Sequence, residues 1–247
     1  MKTIWFDLET CPLPDDQLSK VMPRFEAPRN YKDADKIRTA VLEQEAAWKE
    51  KAALSPLTGS ILAAAYGQDP NVLTILDADE IGEPELIRRL FAVFTGAGMG
   101  AHYKVGGFNI IPFDLPFLIK RAWAHRIAIP SGLFTVNGRW GNWASWVIDL
   151  RAIWSLGERD APGSLKSLSA HLGIGEKLGD GADFARMWRE PATRDAARAY
   201  LLNDVALLCG MADVFQHCSP SIYGGGRNDR NDRITVPVPD KSASPLF

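Results

Sequence analysis

Residues 1–12, MKTIWFDLETCP, begin with an apolar run and end with two acids separated by a single position. The β-branched and aromatic side chains of TIWF predict a buried β-strand. Successive strand residues point to opposite faces of a sheet, so Asp7 and Glu9 share one face and Leu8 points away from them. Two such carboxylates repel each other, and burying them is costly unless a counterion or a metal stabilises them. The alternative is that the strand simply ends here, with both acids solvated and the following Cys-Pro pair closing the element.

The composition of the chain is that of a single globular domain of the larger kind. Its 247 residues are 46% hydrophobic and 23% charged, which is ordinary for a globular enzyme. A protein that coats nucleic acid is expected to have an overall basic field, and the net charge of −2 gives this chain none. This argues against a non-specific coating protein but not against an enzyme that handles one strand end.

The cysteines and the hydrophobic segments indicate a cytoplasmic protein that is not associated with a membrane. Three cysteines without C-x-x-C spacing suggest reduced thiols. The first residues contain no apolar core of a signal peptide, and no apolar segment is long enough to span a bilayer.

The hydrophobic pattern predicts strands first and then strands alternating with helices, and hence an α/β fold with a mixed β-sheet flanked by α-helices. Beyond the first strand, strands are predicted over residues 59–67, 71–79, 99–106 and 146–154. Helices are predicted over residues 34–54, 83–98, 114–126, 164–174 and 193–216. We expect one domain over residues 1–216, with a polar insert around residues 12–55 and a flexible tail over residues 217–247.

Two further acids occupy positions that suit a functional site. Asp114 begins a predicted helix, where an aspartate is also a favoured N-cap, so capping alone would explain it. Asp204 lies inside a predicted helix, four residues after Tyr200. Residues at positions i and i+4 share a helix face, so the phenol and the carboxylate are neighbours beside the apolar stripe of that helix. Solvation or a salt bridge would be the structural explanation for Asp204.

Three motifs in this order resemble those of the DEDD 3′–5′ exonucleases. They are Asp7-Leu8-Glu9 on the first strand, Asn109 with Phe113-Asp114 in the middle of the chain, and Tyr200-x-x-x-Asp204 near its end. A tyrosine before the last aspartate is typical of the DEDDy branch, which includes the proofreading domains of DNA polymerases and ribonuclease D. Ala199 stands where the DEDDh branch has its histidine.

The resemblance is strongest to stand-alone relatives of the proofreading domain of family-B DNA polymerases. Their middle motif, HNIIxFDxPFL, is similar to FNIIPFDLPFL here, and VIDLRAIW followed by SLKSLSAHLGI is also similar to that group. The likeness covers residues 1–216. The chain departs from the pattern at Phe108, which replaces the histidine, and in the long insert after the first strand.

The resemblance implies a ribonuclease-H-like mixed β-sheet with the first strand in the centre and the acids at one edge. It implies two Mg²⁺ ions, replaceable by Mn²⁺, which are held by Asp7, Glu9, Asp114 and Asp204. In this assignment Asp7 bridges both ions and Asp114 holds one of them largely through water. Tyr200 orients the attacking water, because a phenol with an ordinary pKa near 10 suits that role better than the role of a base.

The expected substrate is the 3′ end of single-stranded DNA, and the tail is a possible contact for a replication or repair protein. Substrate contacts are expected from Leu8, Thr10, Asn109 and Phe113. Two alternatives remain open at this point: an exoribonuclease that trims RNA, and a non-catalytic nucleic-acid-binding module that retains the fold. Asp149 is interpreted as an ordinary strand-end acid rather than a group that supports the site.

Overall fold

A computed structural model describes residues 2–96, 104–130, 133–137, 140–143, 147–179 and 181–219. The strands are β1 Thr3–Pro12, β2 Gly59–Asp69, β3 Val72–Asp77, β4 Lys104–Gly107, β5 Phe134–Asn137, β6 Trp140–Trp143 and β7 Val147–Asp149. The helices are α1 Asp15–Val21, α2 Ala34–Glu50, α3 Ala78–Ile81, α4 Glu83–Thr95, α5 Asp114–Ala124, α6 Leu150–Ser155, α7 Leu165–His171, α8 Phe184–Arg189 and α9 Arg194–Cys218. Short 3-10 turns span Ala52–Leu54 and Gly181–Asp183.

The five-stranded sheet has the order β3-β2-β1-β4-β7, and β5 pairs separately with β6. Strand β1 is antiparallel to β2 and parallel to β4, β2 is antiparallel to β3, and β4 is parallel to β7. This is the ribonuclease-H-like mixed sheet that the sequence predicts, with the first strand in the centre.

The alternation of side chains along β1 divides the core into two layers. Ile4, Phe6 and Leu8 are buried on the face that packs against α4 and α5. Trp5 points to the other face, where α7, α8 and α9 cover the sheet. The long helix predicted over residues 193–216 is confirmed as α9. Among the described residues, no helix combines the length and the apolar character needed to cross a bilayer.

The strand predicted over residues 146–154 is wrong in its second half. Strand β7 ends at Asp149, and the next residues form helix α6 instead. The side chain of Asp149 accepts hydrogen bonds from the backbone N–H groups of Arg151 and Ala152, so it acts as the N-cap of this helix. The apolar residues that follow therefore lie on a helix although their run resembles a strand.

Several shorter predictions differ from the structure in detail. Helix α1, which buries Leu18, lies in the part of the polar insert where no helix was predicted, and α8 was not predicted either. The strand predicted over residues 99–106 is present from residue 104, and residues 99–103 lie outside the described part. Helix α9 continues through Cys218, two residues into the predicted tail, while residues 220–247 lie outside the described part.

Gly107, at the end of β4, allows the close approach of two neighbouring segments. A Cβ atom here would lie 2.8 Å from the carbonyl oxygen of Phe6 and 2.3 Å from a side-chain methyl of Ile110. We expect Gly107→Ala to lower the free energy of unfolding by about 1–3 kcal/mol, the usual cost of overpacking. Chemical denaturation would measure this change.

Gly210, inside α9, provides the matched control. Its added Cβ would meet side-chain atoms of Ile174 at 3.4 Å or more, which is ordinary van der Waals contact. Alanine is favoured over glycine in a helix interior by about 1 kcal/mol, so Gly210→Ala should be neutral or stabilising. Equal effects of the two substitutions would contradict the close approach at Gly107.

Candidate active site

Carboxylate oxygens of Asp7, Glu9 and Asp204 lie within 4.8 Å of one another. Asp7 and Glu9 come from one face of β1, and Asp204 comes from α9, which packs on that face. The structure thus brings together three residues that were predicted from two separate motifs. Because α9 begins 182 residues after the end of β1, this proximity depends on the packing of the helix against the sheet.

The early end of β4 leaves the edge of β1 free at these acids. Strand β4 pairs with β1 only from Thr3 to Trp5. The N–H of Leu8, which has no partner in β4, donates a hydrogen bond to Asp114 Oδ1 at 3.3 Å. The fourth acid is therefore held beside the other three. The cluster lies beyond the carboxyl ends of β4 and β7, which is where open α/β sheets bind their ligands.

The capping explanation for Asp114 does not fit its position in the helix. Phe113 is the N-cap, and Asp114 is the first residue of α5. The Asp114 side chain is buried and its carboxylate accepts from β1. Its carboxylate therefore joins α5 to the acidic strand.

Enclosure of the acids makes their ionised forms unfavourable. Desolvation, followed by the neighbouring Asp204 carboxylate, raises the pKa of Asp7 to about 7. Desolvation and the charge of Asp7 raise the pKa values of Glu9 and Asp114 well above their ordinary values. Desolvation also raises the pKa of Asp204, against the opposing effect of Lys177. Four acids with raised pKa values in one place form a site that a cation would stabilise.

Asp204 has one oxygen that the protein leaves unsatisfied. Its Oδ1 is buried and has no hydrogen-bond partner among the described residues. Unsatisfied buried polar atoms are rare in folded proteins and need an explanation such as a bound ion. Mg²⁺ and Mn²⁺ prefer carboxylate oxygens, so the donor set of this cluster fits a hard divalent cation.

Lys177, on the segment between α7 and the second 3-10 turn, is a site residue that the sequence motifs did not indicate. Its ammonium group contacts Asp204 Oδ2, and its Nζ lies 4.6 Å from the centre of the Tyr200 ring. It supplies a positive charge to a cluster that otherwise contains only acids. A single lysine in a connecting segment carries no periodic signal from which this contact could have been predicted.

Tyr200 lies one helical turn before Asp204, as its spacing predicts. Its side chain is only 5% exposed, and its phenol lies near the carboxylates of Glu9 and Asp204. A Cβ at Gly181 would lie 3.4 Å from the Tyr200 hydroxyl and 3.9 Å from the carboxylate oxygens of Glu9, so the second 3-10 turn passes within van der Waals distance of both side chains. Desolvation and the charge of Glu9 raise the pKa of Tyr200, so its phenol keeps its proton.

Two of the four predicted substrate contacts have other roles in the structure. The side chain of Leu8 is buried in the core against α4 and α5. The Thr10 hydroxyl donates to the carbonyl oxygen of Ala53 at 2.8 Å and so anchors the 3-10 turn at the end of the insert.

The other two predicted contacts lie on the loop that leads to Asp114. Asn109 has a left-handed backbone with φ of 62°, and its side-chain Oδ1 accepts from Arg151 Nη1 at 3.0 Å. Phe113 is partly buried, and its ring centre lies 5.7 Å from that of Phe117. Asn109 also lines a surface cavity together with Arg151.

Asp149 supports this loop in addition to capping α6. It is buried at the end of β7, and it accepts from the N–H groups of Asn109 at 2.9 Å and Ile111 at 3.1 Å. The interpretation of Asp149 as an ordinary strand-end acid therefore missed its role in shaping the backbone before Asp114. An aspartate after a short β-branched strand gives no sequence signal for partners 40 positions away.

Fold and cluster together define an α/β domain of the ribonuclease-H-like class with an acidic centre that fits divalent cations. The chain is similar in structure to the family B DNA polymerase from the hyperthermophilic archaeon Pyrobaculum calidifontis, with a TM-score of 0.56 and 17% sequence identity. The match covers 87% of this chain and 24% of the polymerase chain, so this chain spans about a quarter of that protein. At this identity the likeness shows the fold. No protein-family model and no curated protein matches the sequence.

Asp7→Asn is expected to stabilise the metal-free protein at about pH 8 and to reduce its stabilisation by Mg²⁺. In the unfolded chain Asp7 ionises near pH 4, whereas its pKa in the folded protein is about 7. The free energy of unfolding therefore falls as the pH rises through this window, and it stays low above it. Asparagine cannot ionise, so the Asp7→Asn protein does not lose this part of its free energy of unfolding. Urea unfolding across the window, with chelator and with Mg²⁺, measures both effects.

Asp160→Asn is the matched control, because Asp160 is an exposed acid. It should leave both the pH dependence and the Mg²⁺ effect as they are in the wild type. An Asp7→Asn protein that is no more stable than the wild type in chelator at about pH 8 would contradict the unfavourable ionisation of the cluster.

Proposed function

We propose that the protein is a metal-dependent 3′–5′ exonuclease that removes nucleotides from the 3′ end of single-stranded DNA. The observation that carries the proposal is the convergence of the Asp7, Glu9 and Asp204 oxygens within 4.8 Å, with Asp114 joined to the same strand. The order of these acids along the chain, together with Tyr200, matches the DEDDy motifs. The ribonuclease-H-like sheet agrees with the fold that the motifs imply.

Two Mg²⁺ ions, replaceable by Mn²⁺, would be held by Asp7, Glu9, Asp114 and Asp204. When bound, the ions supply charge stabilisation for the attacking and leaving oxygens of phosphodiester hydrolysis. The unsatisfied Oδ1 of Asp204 and the raised pKa values of the four acids support this assignment, because bound cations would give that oxygen a partner and would favour the ionised carboxylates.

The surrounding residues orient the reactants and hold protons in place. Tyr200 keeps its phenolic proton, so it orients the attacking water by hydrogen bonding and does not abstract a proton. Lys177 keeps the Asp204 carboxylate in position through their ion pair. Asn109, whose backbone Asp149 fixes, presents its side chain beside Arg151 and is placed to contact the strand end.

The decisive experiment uses 5′-labelled single-stranded DNA and RNA oligonucleotides with Mg²⁺, Mn²⁺ or chelator, resolved on a sequencing gel. We expect a ladder of DNA products that shorten from the 3′ end, and no products in chelator. Asp204→Asn should abolish the ladder without loss of folding. Cleavage that persists in chelator, or that occurs only internally, would overturn the assignment. Faster trimming of RNA than of DNA would establish the exoribonuclease alternative, and metal-independent binding without cleavage would establish the non-catalytic one.

Tyr200→Phe separates water orientation from metal binding. The substitution keeps the ring and removes one hydroxyl, whose hydrogen bond in the transition state is worth roughly 1.5–3 kcal/mol. We expect kcat to fall about ten- to a hundredfold, while KM and the Mg²⁺ dependence change little. Single-turnover digestion of a short oligonucleotide would measure this loss.

Tyr66→Phe is the matched control for the loss of a hydroxyl. Tyr66 packs against the opposite layer of the core, so its substitution should leave kcat unchanged. Full activity of Tyr200→Phe would remove Tyr200 from the reaction and would argue against a DEDDy enzyme.

A further inference from the structure

The insert between β1 and β2 leaves the sheet and returns to it beside the acidic cluster. Strand β1 ends at Pro12, three residues after Glu9, and the insert begins there. It returns through the 3-10 turn Ala52–Leu54, where the Ala53 carbonyl accepts from the Thr10 hydroxyl, next to Glu9 in the chain. Because β1 points toward the carboxyl ends of β4 and β7, the insert extends from the edge of the sheet that carries the site.

Helix α2 contributes almost nothing to the core of the domain. None of its 17 residues is buried. The insert is held together locally, by the Asp33 side chain that caps α2 and by an edge contact between Phe25 and Trp48 with ring centres 6.3 Å apart. Ordering a helix costs conformational entropy that burial normally offsets. An ordered helix that buries so little is suited to contact something outside the domain.

The part of the insert over residues 20–38, called here the basic arm, has a charge opposite to that of the whole chain. It contains six basic and three acidic residues, a net charge of +3, whereas the chain carries −2. The basic residues are Lys20, Arg24, Arg29, Lys32, Lys36 and Arg38. All six are exposed, and within the described part of the chain only Arg24 has an ion-pair partner, Glu26 at 3.7 Å.

The basic arm also exposes side chains that can pack on unpaired bases. Tyr31 is 40% exposed and lies between Arg29 and Lys32 in the chain, and Met22 is exposed beside the same run of basic residues. Proteins that bind single strands combine a positive surface, which follows the phosphates, with aromatic side chains on which bases stack. The composition of the arm matches both requirements.

We propose that the basic arm binds the single-stranded substrate upstream of its 3′ end, with its lysines and arginines on phosphates and Tyr31 against a base. The inference rests on the proposed exonuclease function, because it assigns the arm to the strand whose end lies at the acids. The arm holds a long strand near the site and contributes nothing to the chemical step. A strand of a few nucleotides occupies the acidic site without reaching the arm.

Binding in chelator tests the arm without any cleavage. The arm variant K20Q/R29Q/K32Q/R38Q removes four exposed basic residues that have no ion pair in the described structure. Affinity for a labelled 30-nucleotide single strand, measured by fluorescence anisotropy, should fall at least tenfold. The slope of log affinity against log salt should become less negative by about 0.7 for each lost phosphate contact, or about 3 in all. The control variant K2Q/K120Q/R126Q/K166Q removes four exposed basic residues elsewhere in the chain, which also have no ion pair in the described structure, and it should keep the wild-type slope.

Kinetics on two substrate lengths separate the arm from the catalytic site. We expect the arm variant to raise KM for the 30-nucleotide strand about tenfold, with kcat unchanged, and to digest a four-nucleotide strand like the wild type. Tyr31→Ala should weaken binding of the long strand several-fold without changing the salt slope. This single substitution still tests the arm if the fourfold variant folds poorly.

Each outcome bears on the arm independently of the nuclease. If the arm variant and the wild type bind and digest the long strand equally, the arm proposal is overturned and the exonuclease stands. If the control variant loses as much affinity as the arm variant, binding is a general charge effect and the arm proposal also fails. If the wild type binds through the arm but never cleaves, the arm proposal stands and the exonuclease falls.

Discussion

Repulsion among the carboxylates of Asp7, Glu9 and Asp204 is the constraint on which the rest of this structure depends. The packing of α9 on the face of β1 that carries the acids forces them together, and desolvation raises their pKa values. A domain that only needed stability would place apolar side chains there, as it does at Trp5, Leu201 and Val205 in the same layer of the core. The acids therefore carry a cost in stability at ordinary pH, which a bound cation would offset.

The sheet and one charged side chain limit this cost. Strand β4 stops two residues before Asp7 in the paired register, so the acids line an open edge instead of the closed interior of the sheet. Lys177 places a positive charge against Asp204 and lowers the pKa of that carboxyl against the effect of desolvation. The same ammonium group lies over the ring of Tyr200, so one residue orients both side chains from α9. Lys177 therefore both reduces the repulsion among the acids and fixes the position of Asp204.

Local patterns in the sequence account for most of the fold, whereas the site divides into predictable and unpredictable parts. Strand alternation places Asp7 and Glu9 on one face, and helical spacing places Tyr200 beside Asp204, since both depend only on neighbours in the chain. That these two pairs of residues lie close together in the fold could be predicted only from the order of the three motifs. Lys177 reaches Asp204 from a segment without periodicity, so its contact could not be predicted. The role of Asp149 was not predicted for a related reason, because its hydrogen-bond partners Asn109 and Ile111 follow the neighbouring strand β4 and are distant in the chain.

The irregularity between β1 and β2 connects the site with the insert. Pairing shifts between Glu9 and Thr10, so that β2 carries one extra residue, Leu62, opposite this point. A bulge of this kind increases the local twist and bends the strand pair, and such bulges are enriched beside active sites. Beyond it, β1 continues for three residues, and its Thr10 hydroxyl fixes the returning end of the insert. The geometry that aims Glu9 at the cluster thus also sets the direction of the insert, so a change at the bulge would alter both.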